Sequence, residues 1–151
     1  SAYLTSNQLG QPLYQRQNYL VCPQTGYDCS CLISRAAQIV GWPYFYKNSA
    51  TAERNLTAIT ALNQLAPGDL LWHAGHIMVV SDVEQGLLIE ARGYSQGFGC
   101  LHEIPLSRIY VGIKTYAELW QAIQTNTVVK TLDDQGLPFG AIQQFKLLKL
   151  A

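Results

Sequence analysis

The pattern of apolar and polar positions changes period along this chain. From residue 28 to about residue 65 apolar side chains recur at helical spacing. Leu32, Ile33, Ala36, Ala37 and Val40 share one face of a helix expected over Cys29 to Val40. Asp28 is its natural N-cap, because a carboxylate there accepts bonds from the orphan amides of the first turn. Gly41 offers a left-handed stop and Pro43 blocks continuation. A second helix is expected over Thr51 to Leu65, with Leu56, Ile59 and Leu62 inward, ending before the turn signal Pro67-Gly68-Asp69. Residues 1–27 are polar and aromatic and read as an N-terminal arm.

Beyond residue 70 the elements shorten. Leu70 to Trp72, His76 to Ser81, Leu87 to Ala91 and Cys100 to Ile104 read as strands. They are separated by a His73-Ala74-Gly75 turn, an Asp82 to Gly86 loop and a Gly-rich loop over 93–99. Such spacing predicts an antiparallel meander. Both faces of its second and third strands are apolar, so the sheet is expected to be covered on both sides. A further helix is expected over Tyr116 to Gln124. Two strands, Thr127 to Leu132 and Phe139 to Leu150, flank an Asp133-Asp134-Gln135-Gly136 turn. Helices followed by a sheet give an α+β fold.

Composition narrows the function classes. A chain of 151 residues fits one domain, and 48% apolar against 13% charged residues predicts a packed core rather than disorder. The net charge of zero argues against a nucleic-acid partner, since phosphate binding normally needs a basic excess. No apolar run approaches the ~18 residues that cross a membrane. No secretory leader is read in Ser1 to Gly10, which leaves export open. Cys22, Cys29 and Cys31 are spaced C-x6-C-x-C, unlike common zinc patterns, so neither a metal nor a cofactor is expected. A bridge from Cys22 or Cys31 to Cys100 stays open.

Three residues carry candidate chemistry. Cys29 opens the first helix, where unsatisfied amides and the helix dipole stabilise a thiolate, the reactive form of cysteine. The alternative is a small buried cysteine that fills space. His76 begins a strand straight after a Gly turn; taken alone it could equally be a core histidine. If the strands at 76–81 and 86–91 pair with His76 opposite Glu90, the two share a face, and the carboxylate can hold the imidazole in one tautomer. Glu90 is the charge in the otherwise apolar Leu87-Leu88-Ile89-Glu90-Ala91 strand and needs a partner; Arg92 is the competing choice. His73 is set aside because it sits in a turn. His102 is set aside for want of a carboxylate in register.

These residues resemble the NlpC-type cell-wall cysteine peptidases, a papain-like group related to the CHAP amidases. Tyr27-Asp28-Cys29-Ser30 followed by Leu32-Ile33 resembles the family's Asp-Cys-Ser-Gly nucleophile motif. The Pro67-Gly68-Asp69-Leu70 run resembles the turn and strand before the catalytic histidine, and Gly75-His76-Ile77-Met78-Val79-Val80 resembles the strand that carries it. Leu88-Ile89-Glu90-Ala91 aligns with the strand bearing the third polar residue. The likeness spans about residues 19–110; 116–151 are unmatched. It implies a fold with helices packed on a central antiparallel sheet, and a Cys29-His76-Glu90 set in which Glu90 orients His76. It also implies that Tyr19, Asp28 and Ser30 hold the free amine of a peptidoglycan stem peptide, cleaved between D-glutamate and a diamino acid. A cell-wall substrate places that action outside the cytoplasm, or on recycled stem peptides inside it. Cys31 departs from the family's glycine, Glu90 from its usual histidine, and Leu20-Val21-Cys22-Pro23 from its Tyr-x-Trp-Gly-Gly approach. The rival readings are a secreted deamidase or acyl transferase acting on a protein target, and a non-catalytic binding module.

Overall fold

The computed structural model of the protein describes residues 28–92 and 100–150, apart from the Cys100 side chain. The first helix, α1 (Cys29–Val40), starts where the sequence predicts. The Asp28 carboxylate accepts the Cys31 amide at 2.7 Å, satisfying one first-turn donor. Gly41 ends the helix at φ 72°, a conformation a glycine adopts without a Cβ penalty. Its buried seam is Ser30, Ile33 and Ala37. The wider stripe expected from the sequence is only partly used. Leu32 is half-buried, Ala36 is exposed and Val40 is 75% exposed. The reason is packing: α1 is an outer layer that touches strands only along one narrow line, and small residues at 30 and 37 bring it close.

The second helix, α2 (Ser49–Asn55), is shorter than expected. It begins at an Asn48 cap and stops before Leu56, which is extended. The chain then forms β1 (Thr57–Ala58) and, after a bend, a 3-10 turn over Leu62–Gln64. Thr57 and Ala58 pair with Lys149 and Leu148, and the Ile59 amide donates to the Leu147 carbonyl at 2.8 Å. A β-branched run beside an open strand edge thus favours pairing over helix. Ile59 is still buried and Leu56 and Leu62 are partly so, by a different backbone route.

The meander follows as β2 (Leu70–His73), β3 (His76–Asp82), β4 (Leu87–Arg92) and β5 (Cys100–Pro105). All its pairings are antiparallel. After α3 (Tyr116–Gln124), β6 (Val129–Leu132) and β7 (Pro138–Ile142) form a separate hairpin. The strand expected over Phe139 to Leu150 therefore splits in two. Gln143 and Gln144 carry the chain from the exposed β7 to β8 (Phe145–Lys149), which enters the main sheet between β1 and β2. The six-stranded order is β1-β8-β2-β3-β4-β5.

Two apolar layers cover this sheet, as its two-sided hydrophobic strands require. One contains Leu71, Met78, Val80 and Leu88 with Tyr116 and Leu119 of α3. The other contains Leu70, Ile77 and Leu148 with Ile33 and Ala37 of α1. Leu70, Leu71, Ile77 and Met78 are fully inaccessible, and each such side chain contributes roughly 1.5–3 kcal/mol by burial. The architecture is α+β with an antiparallel sheet. Among the described residues no helix is long and apolar enough to cross a membrane.

One glycine holds the turn between β3 and β4 against the segment before α3. Gly86 has φ 66°, and a Cβ there would lie 2.4 Å from the Lys114 carbonyl oxygen. Gly86→Ala is expected to destabilise the fold by about 2 kcal/mol or more, combining positive-φ strain with a backbone clash. Urea unfolding measures it; an unchanged midpoint contradicts the assignment.

Candidate active site

The start of α1 and the start of β3 meet at one place. Asp28 caps the helix, so Cys29 is its first residue and lies among the first-turn amides. The two-residue Ala74-Gly75 turn pairs His73 with His76 and fixes where β3 begins. The His76 side chain and the Ile77 backbone lie within electrostatic reach of the Cys29 sulfur, and Cys29 and His76 each shift the other's titration.

His76 has its second partner on β4. Its Nε2 lies 2.8 Å from Oε2 of Glu90, leaving Nδ1 as the ring nitrogen for the thiol. The expected juxtaposition is present, through a register two residues away from the expected one. Val79 pairs with Ile89 and Val80 with Leu88, which continues to Met78, not His76, opposite Glu90. An even displacement keeps a residue on the same face, so the contact survives as a diagonal one.

Glu90 is fully buried and serves more than one partner. Arg92 Nε donates to it, 3.2 Å from Oε2 and 3.1 Å from Oε1. His102 Nε2 lies 2.9 Å from Oε1. The expectation that His102 lacks a carboxylate in register is wrong: Glu90 and His102 are direct cross-strand partners on β4 and β5. The pairing argument used for the preceding hairpin finds this one too, once the strands flanking residues 93–99 are aligned with Arg92 opposite Cys100. Arg92, weighed as a rival to His76 for the carboxylate, binds it together with His76.

The charges reinforce one another. Burial pushes the Cys29 thiol up, but the hydrogen bond and charge of His76, with the Ile77 amide, outweigh it and hold the thiol below its ordinary value. Burial pushes His76 down, yet its bonds to Cys29 and Glu90 raise it above the usual imidazole range. For Glu90, burial opposes the anion, while hydrogen bonds from His102 and His76 and the Arg92 charge bring its pKa down to about 2. Both shifts run in the direction of thiolate and imidazolium. His73 behaves oppositely. Burial and the neighbouring His76 charge bring it down to about 4, and among the described residues its Nε2 has no partner. It is a neutral core histidine.

Asp28 and Ser30 flank Cys29 with distinct exposures. Ser30 is buried and its hydroxyl donates to the Asp28 carboxylate at 3.0 Å. Asp28 is exposed, so its carboxylate is the accessible member of this pair. Cys31 is an exposed free thiol on the next turn position. Tyr19 and Cys22 fall outside the described residues, as does the Cys100 side chain.

Comparison with protein-family models, with curated proteins and with solved structures found no match.

The buried network predicts how stability depends on pH. The unfolded chain protonates His73 near 6.5, whereas the fold keeps it neutral to about 4. Stability is therefore expected to fall as pH drops from about 6.5 to about 4. Glu90 stays ionised to about 2 in the fold, so a second loss follows between the ordinary carboxylate range and about 2. His76, raised in the fold, stabilises below its unfolded value and loses that contribution as pH rises through its folded one. Urea midpoints measured from pH 8 to pH 3 test this. A midpoint flat between 6.5 and 4 contradicts a buried neutral His73.

Proposed function

We propose that this protein is a cysteine hydrolase of papain-like architecture that cleaves amide bonds, with peptidoglycan stem peptides as its substrate class. The observation that carries the reading is Cys29 at a helix N-terminus, electrostatically coupled to His76, which is itself held by Glu90. The resemblance of residues 19–110 to NlpC-type peptidases supplies the substrate class.

In this mechanism the Cys29 thiolate attacks the amide carbonyl carbon. The tetrahedral oxyanion takes hydrogen bonds from backbone amides at the start of α1. The Cys31 amide is committed to Asp28, which narrows the donors to the Cys29 amide and its neighbour Ser30. The carbon–nitrogen bond then breaks, and the departing amine takes the proton held on His76 Nδ1. A thioester remains. Neutral His76 accepts a proton from water, the hydroxide attacks the thioester, and acid product leaves as the thiolate reforms. Glu90 steadies the imidazolium in both halves and keeps Nδ1 turned to sulfur. Asp28 offers the negative charge that a stem peptide's free amine would pair with, and its bond from Ser30 fixes the carboxylate for that contact.

Purified stem peptides containing a D-glutamyl-diamino acid bond, analysed by mass spectrometry, test the substrate class. Cleavage at that bond is the expected result. Ammonia release from protein glutamines with intact stem peptides would instead favour a protein deamidase. Cys29→Ala and Cys29→Ser are expected to abolish turnover without unfolding the chain, and a retained rate in Cys29→Ala overturns the nucleophile. Glu90→Gln is expected to lower kcat/KM about 10- to 1000-fold, because it loosens His76 without removing it. A wild-type rate in that variant would make Glu90 purely structural.

A further inference from the structure

Three adjacent strands place two imidazoles on one carboxylate. Glu90 sits on β4, flanked by His76 on β3 and His102 on β5. The partition of its oxygens is orderly. Oε2 meets His76 Nε2 at 2.8 Å, and Oε1 meets His102 Nε2 at 2.9 Å. Arg92 Nε is almost equidistant from both oxygens. Each oxygen thus has its own imidazole, and the Arg92 N–H lies between them.

Arg92 alone does not fix which way this carboxylate is turned. A donor shared evenly by two oxygens tolerates rotation about the last side-chain bond. The partner that resists rotation is one that engages Oε1 separately while Oε2 engages His76. His102 is placed to do this by the backbone, since it is the direct cross-strand partner of Glu90. Other charged and titratable groups face the same carboxylate. Arg92 contacts the same carboxylate, His76 is drawn toward its charged form by Cys29, and His73 faces the group from β2 as a neutral ring. Tyr110, buried behind the sheet, also feels the Glu90 charge and stays a neutral phenol. Whatever the ring's charge, an imidazole facing a carboxylate oxygen at hydrogen-bond distance donates, so His102 gives its Nε2–H to Oε1.

We propose that His102 is a positioning residue: it locks the Glu90 carboxylate in the orientation that presents Oε2 to His76, and so holds the Cys29–His76 pair ready for reaction. The inference rests on the hydrolase reading of that site. It adds a fourth residue, which acts through Glu90 and touches neither thiol nor substrate. Without the His102 donor, the carboxylate is free to turn toward the Arg92 fork, the stronger electrostatic partner, and away from His76.

Imidazole NMR of the full chain tests this without requiring a substrate. The His76 ring is titrated in wild type, His102→Leu, His102→Gln and Glu90→Gln, with thermal melts run alongside. Gln carries an amide N–H at about the reach of Nε2, whereas Leu fills similar space without a donor. His102 is 20% exposed on a strand at the sheet edge, which favours folded variants. In His102→Leu the His76 pKa is expected to fall by about one unit. In His102→Gln it should stay within about a third of that shift from wild type, and Glu90→Gln should lower it at least as far as His102→Leu does. A lowered melting temperature with an unmoved or raised His76 pKa in His102→Leu would show packing only and overturn the proposal. Failure of His102→Gln to restore the wild-type value, with its fold intact, would overturn it as well. An ordinary His76 titration already present in wild type marks a different failure, that of the hydrolase reading itself.

Discussion

A fully buried carboxylate sets the terms for this site. Glu90 is inaccessible to water, and an isolated anion there would cost several kcal/mol. The chain meets that cost with three nitrogen partners from three consecutive strands, His76, Arg92 and His102. His76 and His102 reach it through strand register, and Arg92 reaches it from two residues along the same strand. The sheet pairing that builds the core therefore also assembles the charge network, and the network leaves His76 pointing at one sulfur.

The second constraint is the contact between α1 and the sheet. Helix and strands meet along Ser30, Ile33 and Ala37, packed with Leu70 and Ile77. Because Ile77 is the neighbour of His76 and Ser30 that of Cys29, one packing seam sets the distance between Cys29 and His76. The Asp28 cap fixes where the helix begins and so which residue stands at its N-terminus. Electrostatics and packing act on the same pair of residues: Glu90 from the strand side, the helix start from the other.

Much of this was legible in the sequence where one local rule dominated. The limits of α1 followed from its caps, Asp28 and Gly41, and α3 occupies the residues where a helix was expected. The His76–Glu90 contact followed from period-two alternation, which survives an even shift of register; Cys29 was joined to them through the resemblance. Three features were missed because each depends on distant partners. Helix α2 stops at Asn55 because β8, some ninety residues later, offers an edge to Thr57 and Ala58. The last strand divides because its two halves belong to different sheets. His102 was passed over although the hairpin reasoning that found Glu90 also finds it, once β4 and β5 are aligned across residues 93–99. Tertiary pairing, not propensity, decided all three.

The central claim is an activated thiolate on Cys29, maintained by His76. Its most direct test is the rate of Cys29 alkylation by iodoacetamide as a function of pH, read by peptide mass, with exposed Cys31 as the internal control. The account predicts a Cys29 rate that persists below pH 7, exceeds that of Cys31 there, and collapses in His76→Ala. A Cys29 profile indistinguishable from that of Cys31, unchanged by His76→Ala, would contradict it.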